Sequence, residues 1–248
     1  MAERPQPPAA PATPDKVAVV IPALNEEASL PGVIARLRAQ GLKHIRVVDN
    51  GSRDRTAEVA RQYGVEVLSE PRRGYGQACW TGCQDLPQET NWILFCNADG
   101  SDDIERIPGM MQVTSEAQFV LGTRIAAEDG RDYLTFSQRF GNKLAVSLIR
   151  LLWGAHYGDI GPLRLISRQA FERLKMHDRG FGWKVEMQVR AVEEGFHFHE
   201  IAVRNLPRQA GASKISGTIK GNLRAGATIL STIATLWLWR HVRAARAG

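Results

Sequence analysis

The feature that most constrains the fold is a repeated alternation in the first hundred residues: short apolar runs, each followed by a stretch with helical spacing. Val17–Ala23 (VAVVIPA) is a continuous, β-branched run, as expected of a strand buried on both faces. Residues 26–40 follow with Leu30, Ile34 and Leu37 on one helical face, and Gly41 stops them. The pattern then repeats: a strand at 45–48 (IRVV), a helix at 55–63, a strand at 65–68, a helix at 76–86 and a strand at 92–96 (WILFC). Such alternation predicts βαβ units in a mostly parallel, Rossmann-like sheet flanked by helices, an α/β single domain. Beyond residue 119 the signals thin to a strand at 119–122, helices at 142–153 and 183–195, and a strand at 197–203.

Ligands of such sheets bind at the carboxyl ends of strands. Three polar segments stand there: Pro22 to Glu26, Asp49 to Asp54, and Asn97 to Asp103. Asp99 directly follows an apolar strand and is the best placed carboxylate to ligate a hard cation, with Asp102 and Asp103 close behind. For Asp103 the competing expectation is a helix cap before Ile104. Cys79, Cys83 and Cys96 are an odd, scattered set and read as packing residues rather than a disulfide framework.

The net charge of +6 is concentrated at the end of the chain, where no Asp or Glu follows Glu200 while Arg204, Arg208, Lys214, Lys220, Arg224, Arg240, Arg243 and Arg246 do. That asymmetry points to phosphates as partners. Nucleic acid is excluded, because no recognition motif accompanies the charge. Residues 225–239 (AGATILSTIATLWLW) are the most apolar stretch. As a helix they would span about 22 Å, short of the ~30 Å hydrocarbon core. A helix lying in the membrane interface fits better, with Trp237 and Trp239 beside Arg240 and Arg243, against the alternative of a helix packed on the domain. The Pro/Ala-rich residues 1–15 read as a disordered tail, not a signal peptide, so the expected compartment is the cytoplasm, including the cytoplasmic face of a membrane. The expected organisation is thus a tail at 1–15, a domain at 16–220 and a basic amphipathic segment at 221–248.

In order along the chain, VVIPALNEE at 19–27, VVDNGSRDRT at 47–56, RRGYGQA at 72–78 and NADG at 97–100 resemble family 2 glycosyltransferases of the GT-A fold. Arg204 and Arg208, then Gly211, Ser213 and Lys214 running into ISGT, look like the dolichyl- or polyprenyl-phosphate sugar synthase branch. The resemblance implies an inverting transfer from a UDP- or GDP-sugar. It places Pro22, Ala23, Asn25, Glu26 and Asp49 around the nucleoside. Asp99, with Asn97 and Ala98 beside it, would hold Mg²⁺ or Mn²⁺ on the donor diphosphate. Arg208, Ser213 and Lys214 would close over the phosphates, and Arg124 and Arg139 would face the acceptor. Two departures stand out: Asn97 is neutral where the family carries an acid, and Ser101 stands where the branch often has Gln.

A lipid-phosphate acceptor arrives as an anion and needs no base, whereas a hydroxyl acceptor needs a carboxylate to take its proton. Asp159 and Glu186 are the available carboxylates, with plain readings as a turn residue and as the exposed face of a helix. A nucleotide-sugar-forming nucleotidyltransferase is the alternative from another class, but the segment after the first strand lacks that class's glycine-rich basic loop.

Overall fold

The structure is a computed structural model that describes residues 10–124, 134–209 and 219–247, without the side chains of 136–137, 219–225 and 243–247. Its sheet has seven strands: β1 (Val17–Ala23), β2 (His44–Asp49), β3 (Glu66–Ser69), β4 (Trp92–Phe95), β5 (Phe119–Thr123), β6 (Arg164–Ser167) and β7 (Phe198–Ala202). They lie in the order β3-β2-β1-β4-β6-β5-β7. The first four are mutually parallel, while β6 runs antiparallel to both β4 and β5 and β7 pairs parallel to β5. The sheet is therefore mixed, and β6 has no counterpart among the sequence expectations.

Two packed layers explain the apolar runs. Along β1, Val17, Val19, Ile21 and Ala23 face a core built with α1 (Leu30–Ala39) and α4 (Ile107–Gln112). Ala18 and Val20 face the other core, shared with α3 (Tyr75–Gly82), α5 (Phe136–Trp153), α6 (Arg168–Leu174) and α7 (Trp183–Glu193). A strand covered on both sides can alternate without any polar face, which is why β1 reads as one unbroken run. A short helix α2 (Thr56–Gln62) connects β2 to β3.

The helix α1 starts four residues later than its spacing suggests. Asn25 sits in the left-handed region (φ 51°), and Pro31 takes the first turn, so residues 24–29 form a turn instead. Residues 10–15, expected in the tail, lie against the domain. Ala12 is buried with its N–H donated to Thr114 Oγ1 at 2.8 Å, and the Trp92 indole donates to the Ala10 carbonyl at 2.8 Å. The long C-terminal helix α8 (Ile219–Ala247) packs on α5 and α7, burying Ile233 and Leu236. No described helix is long and apolar enough to cross a membrane.

Candidate active site

The order β2-β1-β4 puts the topological switch of the sheet between β1 and β4, where two chain reversals leave a crevice at the strand ends. A cavity of about 350 Å³ opens there, lined by Pro22, Ala23, Leu24 and Glu26 from the end of β1, and by Asn97, Ala98 and Asp99 from the end of β4. Asn50, Arg73, Gly74, Tyr75, Ala78, Phe181, Lys184 and Arg208 complete the walls. A larger cavity of about 570 Å³, bounded by Trp80, Arg168, Phe171 and Lys175, contains none of the strand-end segments.

The turns around the crevice are cross-linked. Glu26 N–H donates to Thr56 Oγ1 (2.8 Å) and Asn25 N–H to Ser52 Oγ (2.9 Å), while Arg53 N–H donates to Asn25 Oδ1 (2.6 Å). Asn50 donates to the carbonyls of Glu70 and Arg72 and accepts from Gly74 N–H, which ties β2 to the loop before α3. Glu70 is buried and collects the Arg72 guanidinium together with Gln77 and Thr81; the Arg72 bonds lead in holding its carboxyl far below the usual range. Gly74 (φ 155°) packs so closely that an added Cβ would lie 2.2 Å from the Arg179 carbonyl oxygen, so only glycine admits that approach.

The acids after β4 separate by their partners. Asp102 is buried below the floor and accepts Asn97 N–H at 2.7 Å; burial foremost, with the Asp99 charge adding, pushes its carboxyl up to about 6. Asp103 does not cap the following turn. It is bound bidentately by Arg204 (3.0 and 3.1 Å), and although burial pushes its carboxyl up, those bonds leave it below its ordinary value. Asp99 alone projects into the cavity, where Oδ2 accepts from Arg208 Nη1 at 2.6 Å and Oδ1 from Ser101 Oγ at 2.6 Å. The other arm of Arg208 reaches Glu26 Oε1 at 2.7 Å, and its Nε is buried without a partner.

A cation thus already bridges Asp99 and Glu26. The donor set suits a hard cation: one carboxylate, the Asn97 amide, and positions left for phosphate oxygens and water. Among the described residues there is no cluster of three or more His, Cys, Asp or Glu side chains that would hold a metal without such help.

Other expected site residues lie elsewhere. Asp49 and Asn25 are not in the cavity lining; Asp49 instead accepts Ser52 N–H at 3.1 Å and shapes the turn after β2. Arg124 is outside the lining too. Its guanidinium and backbone N–H all bind Asp159, at 2.7, 2.9 and 2.9 Å. Arg139, exposed in the first turn of α5, donates to the Leu134 carbonyl at 3.0 Å. Ser213 and Lys214 lie outside the described residues. Glu186 is not on an exposed helix face but buried, accepting His177 and Asp178 N–H groups and Arg190 Nε. Lys184, Tyr75, Phe181 and Arg73 escape sequence reasoning, although the RRGYGQA motif contains two of them.

The family profile described as "Glycosyl transferase family 2" matches residues 18–175, well over half of the chain. The chain belongs to glycosyl transferase family 2. An uncharacterised glycosyltransferase of Mycobacterium tuberculosis is 36% identical over 212 residues, covering 85% of this chain and 94% of the relative. An undecaprenyl-phosphate mannosyltransferase of Micrococcus luteus is 27% identical, covering 92% and 98%. Among solved structures, glucosyl-3-phosphoglycerate synthase of M. tuberculosis with Mn²⁺, UDP-glucose and phosphoglyceric acid aligns with a TM-score of 0.68 at 20% identity, covering 89% of this chain and 80% of that one. That likeness establishes the GT-A fold, with the crevice at the β1–β4 switch of this family 2 enzyme.

Proposed function

We propose that this glycosyltransferase moves a sugar from a UDP- or GDP-sugar to a phosphate-bearing acceptor, foremost a polyprenyl-type lipid phosphate. The observation that carries the acceptor class is the state of the carboxylates. Asp159 is locked to Arg124, Glu186 to backbone N–H groups and Arg190, and Asp103 to Arg204, while Asp99 and Glu26 share Arg208. Asp102 lies outside the cavity lining and accepts the Asn97 N–H, so among the described residues every carboxylate lining the crevice is already engaged, which favours an acceptor that brings its own charge. The acceptor phosphate oxygen then attacks the anomeric carbon as the bond to the diphosphate breaks, and the nucleoside diphosphate leaves with the electron pair, inverting that carbon. A divalent cation held by Asp99 and Asn97, Mg²⁺ or Mn²⁺, would neutralise the leaving diphosphate. Glu26, Pro22 and Ala23 border the donor, and Arg208, with Ser213 and Lys214 from the basic segment, would turn from the carboxylates onto the phosphates.

The lipid form of the acceptor draws support from α5 and α8. Phe140, Leu151, Trp237, Leu238, Trp239 and Val242 are exposed on these two neighbouring helices, with Lys143, Arg150 and Arg240 among them. An apolar and basic face of this kind suits peripheral binding to an anionic membrane. The mannosyltransferase of Micrococcus luteus is named for undecaprenyl phosphate, while the structural neighbour was crystallised with phosphoglyceric acid, a soluble phosphate. A soluble phosphate acceptor is therefore the second reading. Incubation with radiolabelled UDP- and GDP-sugars, Mn²⁺ and polyprenyl phosphate should put label into the organic phase. Label found only on phosphoglycerate and joined through its phosphate oxygen would select the second reading, and label joined only through hydroxyl oxygens would overturn both.

A further inference from the structure

Lys184 stands in the first turn of α7 and lines the cavity. Its carbonyl is gripped by the buried Arg164, whose Nη1 donates to it at 2.6 Å while Nη2 binds Gln188 at 2.8 Å, so the start of the helix is fixed. The Tyr75 ring lies 5.6 Å from the ammonium nitrogen. Among the described residues Lys184 forms no ion pair and its ammonium has no hydrogen-bond acceptor. Arg124 and Arg164 add positive charge around it, against Asp159 and Asp102, and Arg124 already spends its bonds on Asp159. Lys184 is half-buried on the cavity wall, and among the described residues no carboxylate lies within ion-pair distance of its ammonium, so an anion entering the cavity meets an uncommitted positive charge. Burial first, then those two guanidiniums, draws its titration down to about 8.

The Asp99–Arg208 pair in the same lining marks where a donor diphosphate would sit, which leaves the Lys184 ammonium for a second anion, that of the acceptor. We propose that the Lys184 ammonium binds the acceptor's phosphate and holds it for attack, an assignment that rests on the phosphate-acceptor reading above. Arg124 is then a positioning residue, which raises the local potential without touching the ligand.

The test uses the full chain loaded with Mn²⁺ and UDP, titrated calorimetrically with farnesyl phosphate and, as the phosphate-free probe, farnesol. A charge-assisted contact is worth about tenfold or more in affinity. The wild type should therefore bind farnesyl phosphate at least about tenfold more tightly than farnesol, Lys184→Met should lose that preference, and Lys184→Arg should keep most of it. UDP binding should stay unchanged in both variants, and thermal melts should report them folded. Equal phosphate preference in Lys184→Met, or no preference in the wild type, overturns the proposal. An equal loss of UDP affinity in Lys184→Met does so as well, because the lysine would then serve the donor. Intact phosphate binding in Lys184→Arg with transfer abolished would make the lysine a proton acceptor, again against it. A wild type that binds farnesyl phosphate but glycosylates no phosphate acceptor would sink the proposed function and leave the Lys184 site standing.

Discussion

Removing the Asp159 carboxylate should destabilise this protein markedly, a loss that sets its role apart from proton transfer. The Asp159 side chain is fully buried and receives three bonds from Arg124, two from the guanidinium and one from the backbone N–H. Burial pushes the Asp159 carboxyl up, but Arg124 outweighs it and leaves the carboxyl below its usual range, so the pair is ionised at neutral pH. Asp159→Ala strands a buried guanidinium and a backbone donor, and breaking one side of such a pair costs about 3–5 kcal/mol. At roughly 2–4 °C per kcal/mol for a domain of this size, Tm should fall by about 6–20 °C. Adding Arg124→Met removes the stranded charge and should recover much of that loss, though residue 124 N–H still lacks its acceptor. Thermal melts and urea titrations of the two single variants and the double variant measure the coupling directly. If Asp159 were instead a general base, Asp159→Ala would keep its Tm and lose transfer by about 10²–10⁴-fold. A Tm within 2 °C of wild type by that ~1 kcal/mol standard, together with inactive enzyme, would refute the structural role.

Other perturbations test the remaining assignments. Asp99→Asn should abolish the extra Tm gain that Mn²⁺ gives to UDP binding, while Asn97→Asp should enlarge it, because an added carboxylate strengthens a site for a hard cation. Burial draws the Lys184 titration down to about 8, and its charged form is the one that binds an anion, so kcat/KM for the acceptor should fall as pH rises through that value. The groups facing it, Arg124, Arg164, Asp159 and Asp102, should be spectators in that window if Lys184→Arg flattens the profile. Leu238→Asp combined with Leu151→Asp places charge on the exposed α5–α8 face and should cut co-sedimentation with anionic vesicles about tenfold or more, with Tm unchanged. Unaltered sedimentation would take that face out of the membrane reading.

The strands that build the crevice were legible because each is covered on both faces, so β1, β2 and β4 appear as apolar runs that end abruptly in polar residues. β6 was not legible. Its four residues, RLIS, begin with an arginine that reads as solvent-facing, yet Arg164 is buried because the Gly161 and Lys184 carbonyls and the Gln188 amide satisfy its guanidinium. Glu186 misleads in the same way. Its place on an amphipathic helix suggests water, and only the fold brings two backbone N–H groups and Arg190 onto it.

At the site, local sequence located the acids but could not rank them, because rank depends on partners far along the chain. Asp99, Asp102 and Asp103 are nearly contiguous, yet one meets Arg208, one lies beneath the Asn97 N–H, and one is taken by Arg204 about a hundred residues away. The same rule inverts the expected roles of the cations. Arg124 stands at the end of β5 where an acceptor contact is expected, but Asp159 neutralises it, and among the described residues a charge without an ion pair falls on Lys184, distant in sequence but on the cavity wall in space. A charge is available to a ligand only when the fold leaves it unpaired, and pairing is a property of tertiary structure. Arg208 shows the intermediate case: it is paired with the two carboxylates that border the donor, so incoming phosphates must compete for Arg208 and their cation for Asp99. That competition makes donor binding an exchange of ion partners, in which a cation would take the place of Arg208 at Asp99 as the guanidinium turns to the phosphates.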